Sequence, residues 1–357
     1  MQTRQYKPYI SSLKGFACFF VMIGHYAGLI KYSHALSERF SVFVFLDKIR
    51  LDFIYDESFW LQLFFVASGY LLAMSSIRNI RGVMVKSLTR FLRLALPILI
   101  ANCIILCIYF LIGFKNSETS VLFLNEWFQN AYSTDLNLFL LLKSPIDTLL
   151  LSNCYFNSTY WVLRDMFFAS LVIYAFLYVK DKINKDVLSM LIYSAVLILS
   201  LLFSKIIFVC LLGVGLALYE DIVHKFTNQR ISICILIGSF LLYILLPNTY
   251  TTILVFLCLI LLVPQINFIN RFLNLKFFDY VGKISFGIYV FHWPIICSVG
   301  AKILLALSDI MGLGGALSIA VLVSVTLSLG LAVLFNKTAE KWCGKGVSWL
   351  QNKLLSI

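Results

Sequence analysis

Residues 14–26 read KGFACFFVMIGHY: a lysine, ten residues without charge, then a histidine and a tyrosine. On a helix that rises 1.5 Å per residue and turns every 3.6, eleven steps are about three turns, so Lys14 and His25 share a face roughly 16 Å apart. With the lysine near a membrane surface, the histidine lies deep in the apolar layer. A ring so placed can be a core residue satisfied by a neighbouring helix. An ionisable group inside a transmembrane segment is nevertheless costly enough that function is the better account.

Outward from this stretch the composition agrees. The chain has 357 residues, of which 61% are hydrophobic and 13% charged, and its mean hydropathy is +0.91. That is too apolar for a water-facing surface and indicates a polytopic membrane protein, all-α in class. The formal charge of +12 has no basic patch interleaved with polar residues and no nucleic-acid-binding motif, so it reads as a topology signal and excludes nucleic acid as a partner. Nine cysteines are scattered singly, without the spacing of a metal or redox site, and no metal is expected. The first apolar segment lacks a small-residue cleavage site and is expected to be retained.

Apolar runs long enough to cross a bilayer, or nearly so, fall at Ile10–Ile30, Ser58–Ile77, Phe91–Ile112, Tyr160–Val179, Val187–Phe203, Ile206–Tyr219, Ile231–Leu246, Thr249–Val263, Tyr280–Gly300 and Leu313–Phe335. This predicts about ten transmembrane helices. If the N-terminus is cytoplasmic, nineteen Lys and Arg fall on the inner side, against eight outside: Lys31, Arg39, Lys48, Arg50, Lys115, Lys143, Lys205 and Lys302. That bias places both termini in the cytoplasm. The segment Lys31–Glu57 mixes charge with aromatic residues, as an amphipathic helix on the outer surface would. The longer outer connection, Lys115–Thr159, suits a mouth or lid over a polar substrate. No linker separates a soluble domain, so residues 1–357 are expected to form one transmembrane domain.

Several motifs carry possible chemistry. FFVASGYLLA (64–73) holds Ser68 and Gly69, a small-residue notch that suits close helix packing. KSLTRFLRLALP (86–97) puts Arg90 and Arg93 three apart on one helical face. They are either snorkelling arginines or a guanidinium fork for phosphates. NSTYWVLRDM (157–166) contains Trp161, Arg164 and Asp165; neighbours on a helix do not face each other, so the last two each meet another helix or a wet cavity. GKISFGIYVFHWP (282–294) puts His292 about as deep in its helix as His25 is in the first, where it marks either a second functional group or an interfacial kink beside Pro294. NKTAEKW (336–342) is a polar inner end of the last helix, while His34 and His224 lie in loops.

Taken in order, Lys14 with His25, FFVASG, RFLR before Pro97, Trp161-x-Leu163 and GKISFGIYVFHWP resemble the acyltransferase-3 family of integral membrane acyltransferases, over nearly the whole chain from Ile10 to Trp342. The resemblance implies a ten-helix body with both termini inside, in the cytoplasmic membrane of a bacterial cell. It also implies transfer of an acyl group, commonly acetyl, from cytoplasmic acetyl-CoA to hydroxyls of a cell-surface glycan such as O-antigen, capsule or exopolysaccharide. Residue by residue it marks His25 as catalytic, Lys14 as its basic partner, and Arg90 and Arg93 as the pair that engages the CoA nucleotide. Ser68, Trp161, Asp165 and His292 are expected in supporting or substrate-facing roles. Many members carry a glutamate three residues beyond the leucine of Trp-x-Leu. That position is Met166, and Asp165 is turned from it by about 100° on a helix.

On these expectations His25 acts as a general base on the acceptor hydroxyl or carries the acyl group itself. A transporter or flippase for a lipid-linked sugar is the alternative, since it too uses intramembrane charges. The chain shows no paired broken helices or internal repeat in its favour.

Overall fold

The structure, a computed structural model, describes residues 7–31, 41–132, 134–183 and 186–356. It is helical throughout, with no strand among the described residues. α1 (Pro8–Lys31) opens on a proline, whose fixed φ and missing N–H suit a first helical position. It is buried on most of its circumference, through Ile10, Leu13, Ala17, Val21, Met22 and Leu29, and forms the centre of the bundle. α2 (Ser41–Lys48) lies in the segment expected to carry a surface helix; residues 32–40 of that segment, with His34 and Arg39, lie outside the described residues.

α3 (Glu57–Ala73) starts where the Asp56 carboxylate accepts from the Ser58 N–H at 2.9 Å. α4 (Ile80–Leu111) runs for 32 residues, its first turn capped by Asn79, which accepts from the Gly82 N–H at 2.7 Å. This start is well before the expected Phe91, because Ile80–Arg90 forms a capped helical extension of the apolar run. Arg90 and Arg93 are therefore inside a continuous helix, not at its mouth. The long connection expected at 115–159 carries three short helices, α5 (Asn116–Phe123), α6 (Glu126–Gln129) and α7 (Leu138–Ile146).

α8 (Trp161–Lys182), α9 (Asp186–Phe203), α10 (Lys205–Phe226), α11 (Gln229–Leu245) and α12 (Thr249–Leu262) follow within a few residues of the expected bounds. α3 and α10 pack at backbone distance: the Cys210 carbonyl occupies the space a Cβ on Gly69 would need, and the Val66 carbonyl does the same at Gly213. The FFVASG notch is thus a helix-packing device, as small residues are in membranes. After a break at Pro264 the chain turns by 98° into α13 (Asn267–Leu273), then forms α14 (Lys276–Lys283) and α15 (Ser285–Ile295).

α15 passes through a π-helical turn at 296–300 into α16 (Ala301–Phe335), and a second π turn at 336–340 leads to α17 (Lys341–Ser356). α16 is not straight. Gly312 has φ 75° and ψ 161°, a conformation that breaks a helix and that glycine adopts without a Cβ clash. The chain doubles back there, so that Ala332 fills the space over Gly287 and the Asn336 amide donates to the Lys283 carbonyl at 3.0 Å.

Among the described residues, six helices are long and apolar enough to span a membrane, counting Ser285–Ser356 as one, or seven if the bent pair α12–α13 is included. The sequence led to about ten. α3 and α11 are present where expected, but each has 17 residues, about 26 Å. The two arms of the Gly312 hairpin correspond to the last two expected spans. The chain is an all-helical, multi-pass membrane protein.

Candidate functional site

A cavity of about 380 Å³ opens among α1, α3, α4, α8 and α15. Four of the residues singled out in the sequence line it: Lys14, Ser68, Arg90 and Arg93, with Lys86, Thr89, Ser75 and Ser285 adding polar surface. Lys14 and Arg90 are half-buried and Arg93 is exposed. α4 achieves this convergence, since its three-residue spacing carries Arg90 and Arg93 on the face that lines the cavity. Apolar walls come from Leu61, Phe64, Leu163 and Met166.

The position three beyond Leu163 does point into the cavity, but the residue there is the uncharged Met166. Asp165 is turned away, accepting from Ser204 Oγ at 2.6 Å, and Ser204 is the N-cap of α10. Its charge thus complements a helix N-terminus. Trp161, 52% exposed at the start of α8, is not among the residues that line the cavity.

Three turns along α1 from Lys14 the surroundings change. His25 is 9% exposed, and its ring lies 5.0 Å from His292 and 5.1 Å from Trp293, centroid to centroid. Both histidines spend Nδ1–H on the carbonyl one turn back: His25 donates to Val21 at 2.7 Å and His292 to Ile288 at 3.0 Å. These bonds assign the tautomer and leave each Nε2 with its lone pair. Nε2 of His292 and Nε1 of Trp293 are buried with no hydrogen-bond partner among the described residues. Such orphaned polar atoms in an apolar layer call for an explanation beyond packing.

A lid covers the pair. Trp127, on α6, stacks 6.0 Å from His25 and 4.9 Å from Trp293. Asn125 pins this loop to α1, its amide donating to the carbonyls of Gly28 and Leu29 at 3.0 and 3.1 Å. The preceding helix is tied to the hairpin by the Lys115 N–H, which donates to Cys297 at 2.8 Å. The Lys115 ammonium, 2.6 Å from Glu118, also holds that carboxyl below its ordinary value. Glu57 approaches from α3: its backbone lies against Gly24, and its carboxylate acts electrostatically on His25.

The structure therefore gathers Lys14, Ser68, Arg90 and Arg93 at one place and His25 with His292 at another. Tyr289 stands between them. It lines the cavity, its ring lies 6.3 Å from His292, and its hydroxyl donates to the Thr159 carbonyl at 2.5 Å. Glu57, Trp127 and Gln351 carried no signal in the sequence, because only tertiary packing brings them to α1 and α4. Tyr289 lay inside the GKISFGIYVFHWP motif, three residues before His292, and that helical spacing was the available clue. His224 donates from Nε2 to the Leu261 carbonyl at 2.8 Å, a structural bond between α10 and α12.

A multi-pass bundle with a cationic cavity and a buried histidine pair shared between α1 and α15 is compatible with a membrane enzyme or a carrier. Comparison with protein families decides the class: the acyltransferase-3 model, described as an acyltransferase domain, matches residues 7–334, and the chain belongs to that family. No curated protein and no solved structure matches it.

Proposed function

We propose that this acyltransferase moves an acyl group, most simply acetyl, from cytoplasmic acyl-CoA to a hydroxyl of an extracytoplasmic glycan, with His25 as the catalytic base. The observation that carries the reading is the convergence of Lys14, Arg90 and Arg93 on one cavity, on the same face of α1 that leads to His25. The charge bias of the sequence supports a cytoplasmic orientation for the cavity end of the bundle, the side on which a CoA donor would be met. Arg93, exposed at the rim, and Arg90 suit the phosphates, which guanidinium groups bind bidentately. The cavity volume suits the narrow pantetheine arm better than the whole nucleotide.

For the thioester to approach His25, the Tyr289 side chain has to swing from the position it holds against Thr159. His25 Nε2 then takes the proton of the acceptor hydroxyl as its oxygen attacks the thioester carbonyl. The C–S bond breaks, and the leaving thiolate recovers the proton from the imidazolium. Nδ1, tied to Val21, holds the ring in the tautomer that this step needs. Trp127 and Trp293 keep water from the reacting carbonyl.

The test has two parts. Surface glycans from cells with and without the gene are analysed by mass before and after mild alkali, which removes ester-linked acyl groups; the gene should add an alkali-labile acyl mass. Membranes carrying wild-type or His25→Ala protein are then incubated with labelled acyl-CoA. A His25→Ala enzyme that transfers at the wild-type rate defeats the assignment.

A further inference from the structure

The family match ends at residue 334, and the chain continues into the turn at 336–340 and α17, both of which fold back on the cationic end of the cavity. α17 lies along α4 with Val347 as its buried anchor. On that face Arg93 Nη2 donates to Ser348 Oγ at 3.2 Å and to Gln351 Oε1 at 3.3 Å, and Gln351 is itself part of the cavity wall. A spacing of three puts both acceptors on one side of the helix. In the preceding turn Glu340 accepts from the Asn336 amide at 3.0 Å, and its carboxylate acts electrostatically on Lys14. α17 thus supplies two oxygen acceptors to a cavity cation. That cation is a group a phosphate-bearing ligand would use.

The other face of α17 has a different character. Trp342 and Trp349 are 78% and 64% exposed, and Lys353 Nζ lies 5.1 Å over the Trp349 ring. Exposed tryptophan beside lysine is the make-up of a helix lying at a membrane–water interface. Such a helix can tilt away from α4 without leaving the membrane surface.

We propose that α17 forms a latch: before a donor binds, Ser348 and Gln351 satisfy Arg93, and a polyanionic ligand enters the cavity by displacing them. This rests on the reading of the cavity as the donor site. The exchange is downhill because the two hydrogen bonds to Arg93 are long, exposed and made by neutral acceptors, whereas a phosphate pairs with guanidinium through charge and two oxygens.

The experiment uses full-length protein in nanodiscs, so that both faces are accessible, with Ser75→Cys in the cavity wall as reporter. Labelling by an anionic methanethiosulfonate is timed with and without Ser348→Ala/Gln351→Leu, and protein without the reporter corrects for the nine native cysteines. Loss of two such bonds should speed labelling about 3- to 10-fold. A rate unchanged or slowed by the double substitution overturns the latch. Free CoA added to the reporter protein separates the two readings. If CoA slows labelling and the double substitution has no effect, the donor site stands and the latch fails. If the double substitution speeds labelling and CoA neither slows it nor is used as a thioester, the latch stands and the donor is wrong.

Discussion

The two ends of the Lys14–His25 face solve opposite problems. At the lysine end the charged groups are half-buried or exposed, they line an open cavity, and Arg93 is held by neutral oxygens that a ligand can replace. At the histidine end aromatic rings pack within about 6 Å of one another, the exposure of His25, His292 and Trp293 falls below a tenth, and buried polar atoms are left without a partner among the described residues. Binding a polyanion from water requires mobile cations at a wet surface. Activating a hydroxyl against a thioester requires a fixed base where water cannot compete. On the proposed function, the difference would separate capture from chemistry along α1, with Tyr289 at the border.

If this division is right, substitutions at the two ends should differ in kind as well as in size. His25→Ala removes the base, and transfer should fall by at least about 100-fold while the protein still inserts and still binds CoA. Measured side by side, unchanged transfer would erase the distinction between the two regions. Arg90→Ala should instead raise the KM for acyl-CoA by roughly 10-fold with a smaller change in kcat, as expected when a charge-assisted contact to phosphate is lost. A kcat effect as large as that of His25→Ala would move Arg90 from capture to chemistry. Trp127→Ala, which uncovers His25, should lower transfer by about 3- to 10-fold while raising hydrolysis of acyl-CoA in the absence of acceptor. A variant with unchanged hydrolysis would show that the lid does not exclude water.

The sequence disclosed the residues of these regions better than their separation. Helical periodicity placed Lys14 and His25 on one face, and the three-residue spacing of Arg90 and Arg93 put both guanidinium groups on one side of α4; the cavity unites three of the four. Element positions were legible where long apolar runs begin at caps such as Ser204 and Asn248, and less so at α4, whose cap Asn79 lies well before the apolar run. The number of full spans was less legible. A run of 17 residues at the core of the bundle looks the same in sequence as a slightly longer one facing lipid. Asp165 illustrates another limit: its partner, Ser204, lies 39 positions away, and its role as a helix-end contact is set by packing. Trp127 and Gln351 escaped notice for the same reason, each lying in a different connection or terminal helix from the face it completes.

The smallest expected effect concerns the element that touches both regions. The Gly312 hairpin carries His292 and Trp293 on its first arm, and its second arm returns the chain to Asn336, bonded to Lys283 just before Ser285 of the cavity wall. Gly312 adopts φ 75°, and no neighbouring atom lies within 4 Å of where a Cβ would stand, so Gly312→Ala meets backbone strain without a steric clash. The cost should be about 1–3 kcal/mol, the penalty of holding an L-residue in an extended conformation at positive φ that is essentially confined to glycine. In a chain of this length that corresponds to a fall of a few degrees in melting temperature in detergent. Because the reversal is held from both sides by Gly287 against Ala332 and by the Asn336–Lys283 bond, the strain should be absorbed at the tip. Transfer rate and KM for acyl-CoA should therefore stay at wild-type values well below the melting temperature. A loss of activity without a loss of stability would mean that the hairpin transmits between the two ends, and that capture and chemistry are coupled through α16 as well as through α1.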